Sequence, residues 1–156
     1  IAAICCLLGL AMLAISVSDL KRFIVPDVLS LPAIPAGLMA NSWILSGDLS
    51  SPHVLEYGAA AIVGAASLYA LRLIYLKVRG REGLGLGDVK LAAVAGSWTG
   101  LHGISTTLLL ACVLALVFVA ASGLSKKLTA TTAIPFGTFF APAIWIVWWA
   151  QWFLPG

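Results

Sequence analysis

Ile1-Ala2-Ala3-Ile4-Cys5-Cys6-Leu7-Leu8-Gly9-Leu10-Ala11-Met12-Leu13-Ala14-Ile15-Ser16-Val17-Ser18 runs without a charge and stops at Asp19-Leu20-Lys21-Arg22. A helix needs about 20 apolar residues to cross roughly 30 Å of hydrocarbon, and this stretch is of that size. It lacks the period-two alternation of a membrane β-strand. In lipid only helices and closed barrels can span, because every backbone N–H and C=O must be bonded internally. Five further apolar runs follow, at about 28–46, 55–76, 89–101, 103–124 and 133–154. Of the 156 residues 62% are apolar and only 10% charged, and the mean hydropathy is +1.07. A soluble domain carries about 25% charged residues, so this chain cannot cover a water-facing surface. A soluble globular domain and a disordered chain are both excluded. The predicted fold is all-α: residues 1–156 form one integral-membrane bundle of six transmembrane helices, with no separate soluble domain, linker or long-period repeat.

The basic residues orient the bundle. Lys21 and Arg22 follow run one, Lys77, Arg79 and Arg81 follow run three, and Lys126 and Lys127 follow run five, while the loops after runs two and four hold no Lys or Arg. The positive-inside rule places these three loops in the cytoplasm, which predicts a multi-pass protein of the inner membrane with both termini outside. No basic stripe with interleaved aromatics suggests nucleic acid. Cys5, Cys6 and Cys112 lie inside apolar runs and form no C-x-x-C pair, so neither a zinc site nor a disulfide framework is indicated. His53 and His102 fall in outer loops, and no H-E-x-x-H occurs; no metal or organic cofactor is expected. Trp145, Trp148, Trp149 and Trp152 read as an aromatic belt at the outer interface. The chain opens on Ile1 rather than Met, which leaves room for a trimmed start. Residues 1–18 have no basic n-region or cleavage site and are not read as a signal peptide.

Run two contains Pro32 and Pro35 and is expected to kink in its early turns. The uncharged part of run four is too short to span alone. Its helix must begin near Gly85 and carry Asp88 and Lys90 in its first turns. Ala92, Gly96 and Gly100 then follow at four-residue spacing, which lets another helix backbone approach closely. Asp88 sits one step earlier on that stripe, so this face is expected against helices rather than lipid.

Asp19 ends helix one and Asp88 begins helix four. The two helices run in opposite directions, so both acids reach the same membrane face whichever way the bundle inserts. An Asp at a membrane-helix centre costs about 2.5–3.5 kcal/mol on insertion scales, which makes such acids candidates for function. Two carboxyls on one face are the minimum equipment of an aspartyl protease: one takes a proton from water and the other, protonated, donates to the scissile carbonyl. Other readings stay open on this ground alone. Asp88 also suits a helix N-cap, and Asp19 an interfacial charge paired with Lys21 or Arg22. A small proton- or ion-coupled transporter would use Asp88 with Lys90 as a relay, although both acids sit at one end of their helices. A non-enzymatic membrane scaffold would need neither acid.

The local motifs separate these readings. Asp88 lies in Arg81-Glu82-Gly83-Leu84-Gly85-Leu86-Gly87-Asp88-Val89-Lys90-Leu91, a G-x-G-D pattern whose Gly85 and Gly87 let the backbone loosen and a substrate strand approach. Asp19 opens Asp19-Leu20-Lys21-Arg22-Phe23-Ile24-Val25-Pro26-Asp27, and Ile134-Pro135-Phe136-Gly137 follows later. Together these segments resemble the type IV prepilin peptidases and their archaeal preflagellin relatives, intramembrane aspartyl proteases of six helices, over nearly the whole chain. The resemblance implies that Asp19 and Asp88 are the catalytic pair, and that the substrates are prepilin-like proteins whose short basic leader is cut after a glycine at the cytoplasmic face. It matches Asp27 to a position that also accepts Asn, so Asp27 reads as the N-cap of helix two. Glu82 either meets the cationic leader or is a solvated charge beside Arg79 and Arg81. Lys90 either approaches Asp88 or snorkels to the interface. Two departures stand out. Many bacterial members carry an N-terminal segment with two C-x-x-C pairs and also methylate the new N-terminus. Nothing like that segment occurs in residues 1–156, so the compact form looks like the short peptidases of tight-adherence (Flp-type) pilus systems, and methyltransferase activity is not implied. Thr138 also stands where proline is common after Phe-Gly, which is expected to alter a helix kink more than the chemistry.

Overall fold

The computed structural model describes residues 1–47, 52–80, 83–121 and 135–154. These residues form helices only: α1 (Ala2–Arg22), α2 (Asp27–Ser46), α3 (Pro52–Arg79), α4 (Leu86–Ala121) and α5 (Gly137–Phe153). Four of them, α1 to α4, are long and apolar enough to cross a membrane. The ends follow ordinary capping chemistry. Phe23 takes the left-handed conformation after α1 and donates its N–H to the Asp19 carbonyl, and Pro26 stops the chain from re-entering the helix. Gly47 and Gly80 close α2 and α3 with φ of 67° and 66°, a conformation that only glycine adopts without a Cβ penalty.

Five helices therefore stand where six were expected, because runs four and five are joined in α4. No loop separates them. The chain passes through one non-helical residue, Gly100 (φ 70°, ψ −178°), a backbone region open essentially to glycine alone. The bend there is sharp. The Ala92 carbonyl oxygen and Ile104 Cδ1 both lie close to the same point on α3, 2.7 and 3.2 Å from where a Cβ on Gly64 would be. In a straight helix twelve residues separate positions by about 18 Å of rise. The leg after Gly100 therefore folds back beside the leg before it.

Breaking a helix in an apolar interior strands the carbonyls of its last turn. Here side chains from two other helices meet them. Asn41 Nδ2 donates to the carbonyls of Ser97 (3.0 Å) and Trp98 (2.9 Å), and Gln151 Nε2 donates to that of Thr99 (3.0 Å). The Asn41 Oδ1 accepts from Trp148 Nε1 at 3.1 Å. Trp148 is fully buried and meets Trp98 edge to face with centroids 5.3 Å apart. The expected aromatic belt is thus corrected for Trp148, whose N–H finds its partner inside the bundle. Trp145 likewise packs on Gly9 and donates to the Cys5 carbonyl, whereas Trp149 is exposed.

Small residues let the helices close. A Cβ on Gly96 would lie 2.4 Å from the Ala60 carbonyl oxygen, and one on Gly64 would lie 2.7 Å from that of Ala92. The expected Ala92/Gly96/Gly100 stripe therefore packs on α3, with Tyr57 against Gly100, Ala60 against Gly96 and Gly64 against Ala92. This register makes α3 antiparallel to the first leg of α4. The Asn41 and Trp98 contacts, with Val25 against Gly87, make α2 parallel to that leg. α2 is continuous through Pro32 and Pro35.

Replacing Asn41 with Leu leaves two carbonyls and an indole N–H buried without partners, each costing about 1–3 kcal/mol. Asn41→Leu is expected to lower the apparent melting temperature in detergent well below that of the parent. A melting temperature equal to the parent's would show that these bonds do not hold the break.

Candidate functional site

Asp19 and Asp88 are brought together by a helix that carries neither of them. α1 and α4 do not pack on each other; both pack on α5. α1 is antiparallel to α5, with Cys5 at Trp145 and Ser16 at Thr138. α5 is parallel to the first leg of α4, with Leu91 beside Gly137 and Thr99 at Gln151. The C-terminal end of α1, the start of α4 and the start of α5 therefore meet at one end of the bundle.

Asp19 is buried, at 6% exposure. Its Oδ2 accepts from the backbone N–H of Thr138 at 2.8 Å and from the Thr138 hydroxyl at 3.2 Å. A side-chain oxygen from α1 thereby caps the first turn of α5, whose exposed N–H groups and helix dipole favour an acceptor there. Gly137 gives it room: a Cβ there would stand 3.0 Å from Oδ2. Asp19 is thus held by α5 and not by Lys21 or Arg22.

Asp88 is the third residue of α4 and partly buried. It lies within electrostatic reach of Asp19, and its backbone N–H donates to the Gly85 carbonyl at 3.2 Å. The N-cap reading of Asp88 is corrected: it stands inside the first turn of α4, not at the cap position before it.

The two glycines of the motif differ. A Cβ on Gly87 would lie 2.6 Å from Val25 Cγ2, so this glycine seats the linker between α1 and α2 against the start of α4. At Gly85 the nearest atom would be Asp88 Oδ2 at 3.6 Å, an ordinary contact. Gly83 lies under the ring of Tyr75, and Arg72 Nε donates to the Leu84 carbonyl at 3.1 Å, so the end of α3 holds the glycine loop from outside.

Two expectations on the flanking charges are corrected. Asp27 is the first residue of α2 but makes no capping bond; Pro26 occupies the cap position. Its carboxylate instead pairs with Lys90, with Nζ 2.5 Å from Oδ1. Lys90 therefore ties α4 to α2 and is engaged away from Asp88. The reason is geometric: α2 and the first leg run parallel from the same end, so residues in their first turns face each other. Glu82, Arg81, Lys126 and Lys127 lie outside the described residues.

Sequence reading assigned no role at the site to four residues that shape it: Arg72, Tyr75, Gly137 and Thr138. Arg72 carries a signal of its own, since an Arg inside an apolar helix needs a polar partner. Thr138 was visible as a departure from the resembled motif, and the structure places it in direct contact with Asp19.

The chain matches the model of the type IV leader peptidase family over residues 6–120, a span that includes Asp19 and Asp88 and ends before Thr138. It is similar to the prepilin leader peptidase/N-methyltransferase of Stutzerimonas stutzeri, 35% identical over 140 residues that make up 90% of this chain and 47% of the relative. The protein of that name from Pseudomonas aeruginosa is 34% identical over the same shares. That from Xanthomonas campestris pv. campestris is 35% identical over 87% of this chain and 46% of its own length. The chain thus spans about half the length of the curated relatives it matches. No solved structure matches it.

The steric contrast between the glycines is directly testable by thermal melting. Gly87→Ala overpacks the Val25 contact and is expected to cost about 1–3 kcal/mol, whereas Gly85→Ala is expected to melt with the parent. Equal melting of the two variants would show that the Val25 contact does not limit position 87.

Proposed function

The chain belongs to the type IV leader peptidase family, and from that premise we propose that it is an intramembrane aspartyl endopeptidase that removes the basic leader from type IV prepilin-like proteins. One observation carries the reading: two carboxyls from separate helices, that of Asp19 held by the backbone N–H of Thr138, lie within electrostatic reach of one another at one end of the bundle. Two carboxyls so placed tend to share a proton. The ionised one accepts a proton from water as the water oxygen attacks the scissile carbonyl carbon, while the protonated one donates to the carbonyl oxygen. Collapse of the tetrahedral intermediate breaks the C–N bond, and the leaving amine takes a proton from the pair. Both proton steps are supplied by the carboxyls, so the reaction needs neither metal nor organic cofactor.

The membrane placement belongs to the same proposal. A straight helix as long as α4 would measure about 54 Å, well beyond the roughly 30 Å hydrocarbon core. The two legs about Gly100 are therefore read as separate crossings, which with α1, α2, α3 and α5 makes six and puts both termini on the outer side of the inner membrane. Lys21 and Arg22 end α1, and Lys77 and Arg79 lie in the last turn of α3, all at the end that carries Asp19 and Asp88. The positive-inside rule assigns that end to the cytoplasm, where a cationic leader would enter and where Glu82 would be available to meet it. The apolar exteriors of the helices meet the lipid bilayer.

Purified protein incubated with a prepilin is expected to release the leader as a fragment of defined mass. Asp19→Asn and Asp88→Asn are each expected to lower cleavage about 100- to 10,000-fold, the range for loss of a general acid or base, while the protein still inserts and melts cooperatively. Full leader processing by either variant would remove the dyad from the mechanism.

A further inference from the structure

We infer that Thr138 is a positioning residue that decides which oxygen of Asp19 faces the reacting water; the inference rests on the dyad reading above. The carboxyl of an aspartate is loosely held about χ2, whose distribution is broad and two-fold. Nothing in the residue itself distinguishes one oxygen from the other. In this protein the distinction comes from α5. Oδ2 accepts both the N–H and the hydroxyl of Thr138, at 2.8 and 3.2 Å, and lies against the Cα of Gly137. Oδ1 accepts no hydrogen bond from the described residues, and it is not among the fully buried atoms left without a partner. Oδ1 is therefore the oxygen left open for water.

The hydroxyl is itself oriented. It has one proton and two acceptors within reach, Asp19 Oδ2 at 3.2 Å and the Ser16 carbonyl at 3.4 Å. The carboxylate oxygen is the nearer of the two, and hydrogen bonds to a charged acceptor are the stronger kind. Ser16 Oγ donates in return to the Thr138 carbonyl at 2.8 Å, which fastens α5 to α1 one turn before Asp19. Without the Thr138 hydroxyl Asp19 keeps the Thr138 N–H bond, so the loss of that hydroxyl slows the reaction without abolishing it.

The test is steady-state cleavage of a prepilin by the full chain in detergent micelles, comparing the parent with Thr138→Val, Thr138→Ser and Ser16→Ala. Thr138→Val keeps the shape and the backbone N–H but removes the hydroxyl. Its kcat is expected to fall about 5- to 20-fold with KM within about twofold, the size of one lost positioning hydrogen bond. Thr138→Ser keeps the hydroxyl and is expected within about twofold of the parent, as is Ser16→Ala, which keeps both bonds to Asp19. If Thr138→Val fails to fold, Thr138→Ala also lacks the hydroxyl and carries the same expectation. Parent-like kcat in the hydroxyl-free variant overturns the inference. So does an equal loss in the Val and Ser variants, or a loss in Ser16→Ala matching that in Thr138→Val, since either points to helix packing rather than to the carboxyl. A parent that releases no leader overturns the peptidase reading itself.

Discussion

Lipid offers no hydrogen bonds to a backbone, and the irregular features of this bundle follow from that constraint. The break at Gly100 would strand the carbonyls of Ser97, Trp98 and Thr99. Asn41 and Gln151 reach them from α2 and α5, and Trp148 in turn bonds Asn41. These polar side chains sit at the meeting point of three helices because the α4 backbone changes direction there. A glycine supplies the torsion angles that no other residue adopts freely, and side chains from neighbouring helices supply the donors. Backbone break and buried polar cluster form one device.

The same economy governs the opposite end. The first turns of α4 and α5 present N–H groups without helical partners. Asp19 crosses from α1 to meet the N–H of Thr138 in the first turn of α5. Because the backbones of α1 and α4 do not pack on each other, the spacing of the carboxyls depends on how both helices seat on α5. Gly137 meets both helices at once, beside Asp19 of α1 and Leu91 of α4.

Much of this was legible along the chain, for identifiable reasons. Apolar runs and basic loop ends are local signals, so the all-helical membrane class and the start of α4 near Gly85 could be read directly. That Asp19 and Asp88 share an end followed from the alternating direction of successive helices. The Ala92/Gly96/Gly100 stripe marked a close helix contact because small residues at four-residue spacing lie on one face. Gly100 belonged to the stripe, yet its torsion angles were not legible: a glycine for close approach and a glycine for a positive φ are the same letter. Trp148 was read from its place at the chain end as interfacial, since nothing near it in sequence shows that Asn41 would meet its N–H.

The sequence by itself determined the solvent of this protein, the helical class, and the two acids whose position in apolar surroundings demands an explanation. Those are properties of composition and short spacing. Tertiary structure alone decided who holds each group: Thr138 for Asp19 across 119 residues, Lys90 for Asp27 across 63, and Arg72 for the glycine loop. Hydrogen bonds and ion pairs reach only about 3–4 Å. Partners so far apart along the chain are therefore chosen by which helices pack side by side, and that order is written in no single stretch of residues.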